Sequence, residues 1–533
     1  MTDQKKPSFK QAGGNTDNRE RSSSFQNRNG QRSRTGFQRT SERRAGGGFR
    51  RDGKPAAGHD QNRNSGRSND RSFRKPNAPR PEAEQTPNTT PARRLALEVL
   101  TDVHQNGAFA QLSLNEKLQA AKHLKPEDRR LATGLVYGVL EDQIRIDYAL
   151  KGFLAHQVKD PSQMDILRMG AYQILFLDRV PDSAAVNEAV KLTRAMGMDS
   201  STGFVNAVLR NLSRQKEELK WPDKAEDLRN YLHVMTSTPL WLVDRLIADY
   251  GEEEAEKILS YRESTHPITV RPNLYTFSDE ELIRSLDRKE IKWTKGLAPH
   301  AFLLEGLSEL TYDQDYRDGK YSVQGQSSML AAEAVQAKPG MRILDACAAP
   351  GGKSAYLCET MQMTGRVFAW ELHEKRAMLL DGVKRRLRLE NLRITVRDAT
   401  QPMQDWESTL DAVLLDAPCS GTGVVTQKPD IKQRLKAEDI PAIVETQQKL
   451  LDILCTYVKA GGTLVYSTCS ILPEENALQV KAFLERHPEF TLEPLPASFP
   501  QQLRQQQGPY GLQLQAYRDQ VEGFFIARLR RVR

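Results

Sequence analysis

From Ala92 onward, apolar residues recur at three- and four-residue spacing, the signature of helices with one buried face. In "RRLALEVLTDVHQNG" Leu95, Val99, Leu100 and Val103 share a face, and Asn106-Gly107 ends the run. "PEDRRLATGLVYGVLED", "QMDILRMGAYQILFL", "VNEAVKLTRAMG" and "TGFVNAVLRNLSRQ" repeat the pattern between short polar breaks. The spacing predicts an all-α domain over residues 92–216. Beyond it, "PLWLVDRLIADYGEEEAEKILSYRES" reads as two helices split at Gly251. "ITVRPN", the helical "SDEELIRSLDRK" and "AFLLEG" then alternate, so residues 217–338 are assigned to a helical linker and a small α/β subdomain.

At Gly340 the period changes. "MRILDAC", "GRVFAWE", "LRITVRD", "LDAVLLDAP" and "GGTLVYST" are short β-rich runs separated by helix-length segments. That alternation predicts an α/β, doubly wound, Rossmann-like and mostly parallel sheet over residues 339–533. "FTLEPL" and "GFFIARLR" would complete seven strands.

Composition changes the picture at the N-terminus. Residues 1–91 hold no Leu, Ile or Val, and carry 20 Lys+Arg against 9 Asp+Glu, which leaves 57 basic and 60 acidic residues for the rest of the chain. Such a segment cannot bury enough apolar surface to offset its ordering entropy, so a disordered Arg/Gly/Asn/Ser-rich tail is expected. Arg on phosphates and Phe9, Phe25, Phe37, Phe49 and Phe73 on bases would give it nonspecific RNA contacts, the alternative being a solubilising extension. The five cysteines, Cys347, Cys358, Cys419, Cys455 and Cys469, show no CxxC spacing. Their odd number, with no signal-like segment and no run long enough to span a membrane, points to reduced thiols in a cytoplasmic protein.

The first β-run leads into "DACAAPGGKS". This turn is neither GxGxxG nor a Walker loop, because Cys347 stands where the latter needs its first glycine. It is small enough for a ligand to approach the backbone, yet it offers no phosphate cradle. Glu371 ends the second run, where a carboxylate can accept both ribose hydroxyls; Asp345, Asp398 and Asp416 end three others. Four carboxylates at one sheet edge suit S-adenosylmethionine, a sulfonium cation bearing adenosine, better than NAD or ATP. No metal is called for.

Two cysteines follow strand ends on similar turns, Cys419 in "LLDAPCSGTG" and Cys469 in "LVYSTCSILP". A thiolate beside a methyl donor points to pyrimidine C5 methylation: addition to C6 makes C5 nucleophilic, and elimination follows methyl transfer and proton loss. Strand order would place both thiols at one substrate base, and chemistry alone does not rank them. The Pro-Cys pair resembles the nucleophile motif of DNA cytosine-C5 methyltransferases and would nominate Cys419. Cys455, inside helical "LLDILCTYV", reads as a small hydrophobe.

"VQGQSS", "LDACAAPGGKS", "LLDAPCSGTG", "KPDIK" and "YSTCSILPEEN", in that order, resemble the RNA cytosine-C5 methyltransferases of the NOL1/NOP2/Sun family. "ARRLALEVL", "LRMGAYQILFLDRVPDSAAVNEAVKLTR" and "FVNAVLRNL" resemble the NusB family of RNA-binding helical domains. The combination is similar to the RsmB-type branch, which implies a monomeric enzyme acting on a cytosine of 16S ribosomal RNA. The resemblance makes Cys469 the nucleophile and Cys419 the residue that assists product release, with Asp416 holding or protonating the cytosine ring. It places Cys347, Ala348, Ala349, Pro350, Gly351, Gly352, Lys353, Glu371, Asp398 and Asp416 around S-adenosylmethionine. Two positions depart from the family pattern: Gly325 stands where members commonly carry Asp, and Glu522 replaces the Asp of Asp-Gly-Phe-Phe. The same chemistry on tRNA or another rRNA site, and a non-catalytic RNA-binding assembly factor, are the competing readings.

Overall fold

In the computed structural model, which describes residues 90–262, 267–305, 310 and 313–533, the stripe that begins at Leu95 folds as the helix Pro91–Asn106. Gly107 ends it in the left-handed conformation (φ 65°), donating its N–H to Asp102. The tail expected to be disordered lies outside the described residues, apart from Thr90 and Pro91 at the start of this helix. Ala110–Ala120, Pro126–Glu141, Gln143–Lys151, Pro161–Phe176, Asp182–Ala195 and Thr202–Gln215 follow it around one core that includes Leu100, Leu135, Ile166, Leu167 and Leu209. Periodicity had not shown Ala110–Ala120. Only Ala110, Ser113 and Leu114 of that helix are buried, too few to leave a stripe.

The helices Leu240–Tyr250 and Glu252–Ser260 meet at Gly251 (φ 81°), where the sequence placed the break. Four short strands come next: β1 (Ile268–Pro272), β2 (Trp293–Lys295), β3 (Phe302–Leu304) and β4 (Tyr321–Val323), in the order β2-β3-β1-β4 with antiparallel pairing throughout. The helix Asp279–Arg288 closes their apolar face through Leu282 and Leu286, and starts with a capping box between Ser278 and Glu281. Arg271 of β1 forms a fully buried ion pair with Glu359 of the helix Gly352–Thr360, tying this small sheet to the large one.

The large sheet holds β5 (Arg342–Asp345), β6 (Arg366–Glu371), β7 (Leu392–Val396), β8 (Leu410–Asp416), β9 (Val458–Thr468), β10 (Phe490–Leu492), β11 (Leu512–Leu514) and β12 (Phe524–Arg531). Its order is β10-β12-β9-β8-β5-β6-β7, with β11 paired to β12. β5 to β9 run parallel to one another, while β12 pairs antiparallel with β9, β10 and β11. The seven expected strands are therefore present, and the eighth, β11, is a three-residue strand too short for periodicity to mark. The order reverses between β5 and β8, which opens a crevice beyond their carboxyl ends. Among the described residues no helix is long and apolar enough to cross a membrane.

Candidate active site

Pairing of β8 with β9 in parallel register sets Asp416 opposite Ser467, so the turns after both strands project at the same level. Sγ of Cys419 and Sγ of Cys469 are 3.2 Å apart, although 50 residues separate them in sequence. Gly423 locks the turns together: its N–H donates to the Cys469 carbonyl at 2.9 Å, its own carbonyl accepts from Gly523, and a Cβ there would fall 2.1 Å from the Gly523 oxygen.

Beneath the cysteines lies a buried polar network that the sequence reading did not find. Glu475 accepts from the Ser420 N–H (2.9 Å), the Ser470 hydroxyl (2.6 Å) and the Gln447 side-chain amide (2.9 Å). Thr422 and Ser420 reach Ser470 at 3.1 Å each. One carboxylate thus holds both cysteine turns, drawing donors from "APCSG", "STCS" and the helix Asp439–Leu454. The sole sequence signal was the acidic pair in "PEEN", which by itself reads as a solvated helix start.

The two thiols differ in charge environment. Cys469 shares a hydrogen bond with Cys419 and sits near Lys428 and Lys353, and these contacts hold its pKa below the ordinary thiol value against the opposing effects of burial and Asp416. Contact with Cys469 pushes Cys419 well above that value, with burial, Glu475 and Asp416 adding to the shift. Burial likewise raises Cys347, Cys358 and Cys455, the last to about 12. Cys455 also lies in the turn Cys455–Tyr457 that leads into β9, at the end of the strand remote from the crevice.

Asp416 accepts from the Lys353 ammonium (2.6 Å) through one oxygen and from the Ser467 hydroxyl (2.9 Å) through the other. Lys353 in turn lies 5.7 Å from the centroid of the Phe524 ring. The crevice of about 1060 Å³ is lined by Asp345, Cys347, Ala348, Ala349, Pro350, Gly352, Lys353, Glu371, Asp398, Asp416, Cys419 and Cys469. Gly351 turns the chain into its helix (φ 112°) with its Cα facing Leu380. Gln111, from the helical domain, also lines the crevice. Only tertiary folding brings it there, so no sequence signal could have marked it.

The turn after β5 fits a nucleoside cofactor without phosphates. Its Ala346 and Ala348 N–H groups are already bonded to the Leu414 and Trp370 carbonyls (3.0 and 2.9 Å), which removes them from any phosphate cradle. The ligand would instead meet carboxylates. Glu371 is 2 % exposed, held by the His373 N–H and Arg376. Asp345 is fully buried; Ser354 donates to one oxygen at 2.6 Å, while the other has no hydrogen-bond partner. Burial raises the Asp345 pKa to about 6. Asp398 is kept low by the Thr400 hydroxyl and N–H.

The profile of the family described as 16S rRNA methyltransferase RsmB/F matches residues 332–530. Profiles of the NusB family and of an RsmF/B-like ferredoxin-like domain match residues 90–214 and 238–310. The probable ribosomal RNA small subunit methyltransferase B of Bacillus subtilis (strain 168) is 37% identical over 449 residues, which cover 83% of this chain and 99% of the relative. The chain belongs to the RsmB/F methyltransferase family. A second RsmB/F relative, the ribosomal RNA small subunit methyltransferase B of Shewanella oneidensis, is 34% identical across 82% of this chain and 98% of its own. Among solved structures, PH0851 superimposes with a TM-score of 0.70 at 26% identity, covering 83% of this chain and 99% of that one. A methyltransferase homologue from Pyrococcus horikoshii matches with a TM-score of 0.50 at 26% identity, covering 57% of this chain and 99% of that one. As an RsmB/F member the chain is a methyltransferase, with S-adenosylmethionine as its cofactor.

Proposed function

We propose that this chain methylates C5 of a cytosine in 16S ribosomal RNA through a covalent bond between Cys469 and C6 of the base. The observation that carries the reading is the thiol pair: Sγ of Cys469 lies 3.2 Å from Sγ of Cys419 at the crevice, and Cys469 is the one whose charge environment is set by Lys428 and Lys353. When the Cys469 thiolate adds to C6, the electrons of the C5–C6 double bond move toward the ring nitrogen and carbonyl. Asp416, fixed by Lys353 and Ser467, would hold the ring by accepting from its amino group or, when protonated, would pass its proton to the ring nitrogen where that charge develops.

S-adenosylmethionine, when bound, supplies the electrophilic methyl group that C5 attacks. Glu371 would hold the ribose hydroxyls, Asp398 and Asp345 the base and the floor of the site, and the turn Cys347–Lys353 the remaining edge. After C5 loses its proton to a base, the C6–Sγ bond breaks and the electron pair returns to Cys469. The Cys419 thiol, at 3.2 Å, donates to that departing thiolate, which lowers the barrier to release. The helical domain over residues 92–216 helps to place the RNA.

The test expresses Cys469→Ala and Cys419→Ala variants and probes 16S rRNA for 5-methylcytosine and for attached protein. Cys469→Ala should give neither product nor adduct; Cys419→Ala should accumulate a covalent protein–RNA complex. A covalent complex formed by Cys469→Ala would reverse the two roles. Mapping the modified base identifies the target site.

A further inference from the structure

The crevice does not end at the methyltransferase domain. Gln111 forms part of its rim, and its neighbours Phe109 and Leu112 are each 55% exposed. All three belong to the first turn of Ala110–Ala120 or to the residue that caps it. One face of the Phe109 ring is covered by Arg434, whose guanidinium carbon lies 3.8 Å from the ring centroid. Arg434 ends the short helix Ile431–Arg434, six residues past the exposed crevice residue Lys428. Its Nη1 is buried with no hydrogen-bond partner, and Asp430 approaches it only to 3.7 Å.

With 55% of its surface exposed, the Phe109 side chain gives up much of what burying it would contribute to the fold. Here it stands two residues before Gln111, which lines the cavity that holds both cysteines; Arg434 covers one face of the ring, and Lys428 lines the same cavity. A base that enters the crevice must leave its stack, and the nucleotide beside it then loses a neighbour. An aromatic ring backed by a guanidinium replaces such a neighbour without reading sequence. We propose that Phe109, braced by Arg434, is the stacking platform for a nucleotide flanking the target cytosine. The helical domain thereby positions single-stranded RNA directly, and Lys428 faces the adjoining phosphate. Both residues are positioning residues; neither touches the reacting atoms. The inference rests on the reading of the crevice as an RNA cytosine site.

The test uses the full chain with Phe109→Ala and Phe109→Trp. Binding of a short fluorescein-labelled single-stranded RNA is followed by anisotropy, with a duplex of the same sequence as control, and kcat and KM are measured on unmodified 16S rRNA transcript. Phe109→Ala should weaken single-strand binding and raise KM about 10-fold, with kcat, duplex binding and S-adenosylhomocysteine affinity unchanged; Phe109→Trp should stay within about 2-fold of the parent. Wild-type single-strand affinity in Phe109→Ala overturns the proposal. So does an equal loss in both variants, which would mark Phe109 as a packing residue, or a loss shared with the duplex. If the parent chain forms no 5-methylcytosine while Phe109→Ala still loses single-strand affinity, the cytosine reading fails and the platform stands.

Discussion

Glu522 places its carboxylate where a side chain on Gly325 would be. A Cβ at Gly325 would lie 2.1 Å from one Glu522 oxygen, while the other accepts from the Ser327 N–H at 3.0 Å. Ser327 is in the first turn of the helix Gln326–Glu333, for which Gly325 is the N-cap, so Glu522 satisfies the amide that a capping Asp would have bonded. Glu522 thus supplies, on a longer side chain, the carboxylate that Gly325 cannot offer to the start of this helix.

Gly325→Asp should accordingly destabilise the chain by about 2 kcal/mol, because it drives a second carboxylate into an occupied site. Adding Glu522→Asp, which shortens the competing side chain, should recover most of the loss. Chemical denaturation of the single and double variants measures both. Equal stability of Gly325→Asp and the parent would refute the exchange.

The thiol pair has a pH signature. Cys419 is the main contact that lowers the Cys469 pKa, so removing that donor in Cys419→Ala must raise it, and the reactive thiolate then persists over a narrower range on the acid side. The midpoint of iodoacetamide labelling of Cys469 against pH should move upward, and labelling at pH 7 should slow roughly 10-fold for every pH unit by which that midpoint rises. Mass spectrometry of the peptide bearing Cys469 reads the rate. An unmoved midpoint would mean that the lysines, not Cys419, set the acidity.

Glu475 should be costly to remove because its three donors come from three segments. Glu475→Ala leaves buried donors without an acceptor, a loss of about 3 kcal/mol or more, and Glu475→Gln, which keeps an acceptor oxygen, should lose less. Denaturation midpoints give the stability, and a drop in kcat at steady KM for RNA gives the displacement of the cysteine turns. Parent-like stability in Glu475→Ala would remove it from the scaffold.

Asp345 should make the free protein less stable as pH rises. Its folded pKa of about 6 exceeds the value near 4 of an unfolded Asp, so between these pH values the native state binds more protons and the slope of stability with pH is negative. The change amounts to about 2 kcal/mol between pH 4 and 6. Denaturation of the parent and of Asp345→Asn at both pH values isolates it. A difference between the two proteins that does not change with pH would show that Asp345 does not titrate in this window.

The sequence made the α/β class and the helical stripes legible before folding was considered, because both are written in local periodicity. It also determined the carboxylates at one sheet edge, since parallel strands joined by helices must all end on the same side: Asp345, Glu371, Asp398 and Asp416 line one crevice. It left β11 and Ala110–Ala120 unseen, as neither has enough buried residues to show a period. Only the tertiary structure brings the two thiols into contact with the lysines beside Cys469, lets one carboxylate fasten both cysteine turns, sets Glu522 against Gly325 and carries Gln111 to the rim. Each of these depends on a distance of a few ångströms between residues far apart in the chain. Hydrogen bonds and charge interactions fall off over such distances, and local pattern carries no record of them.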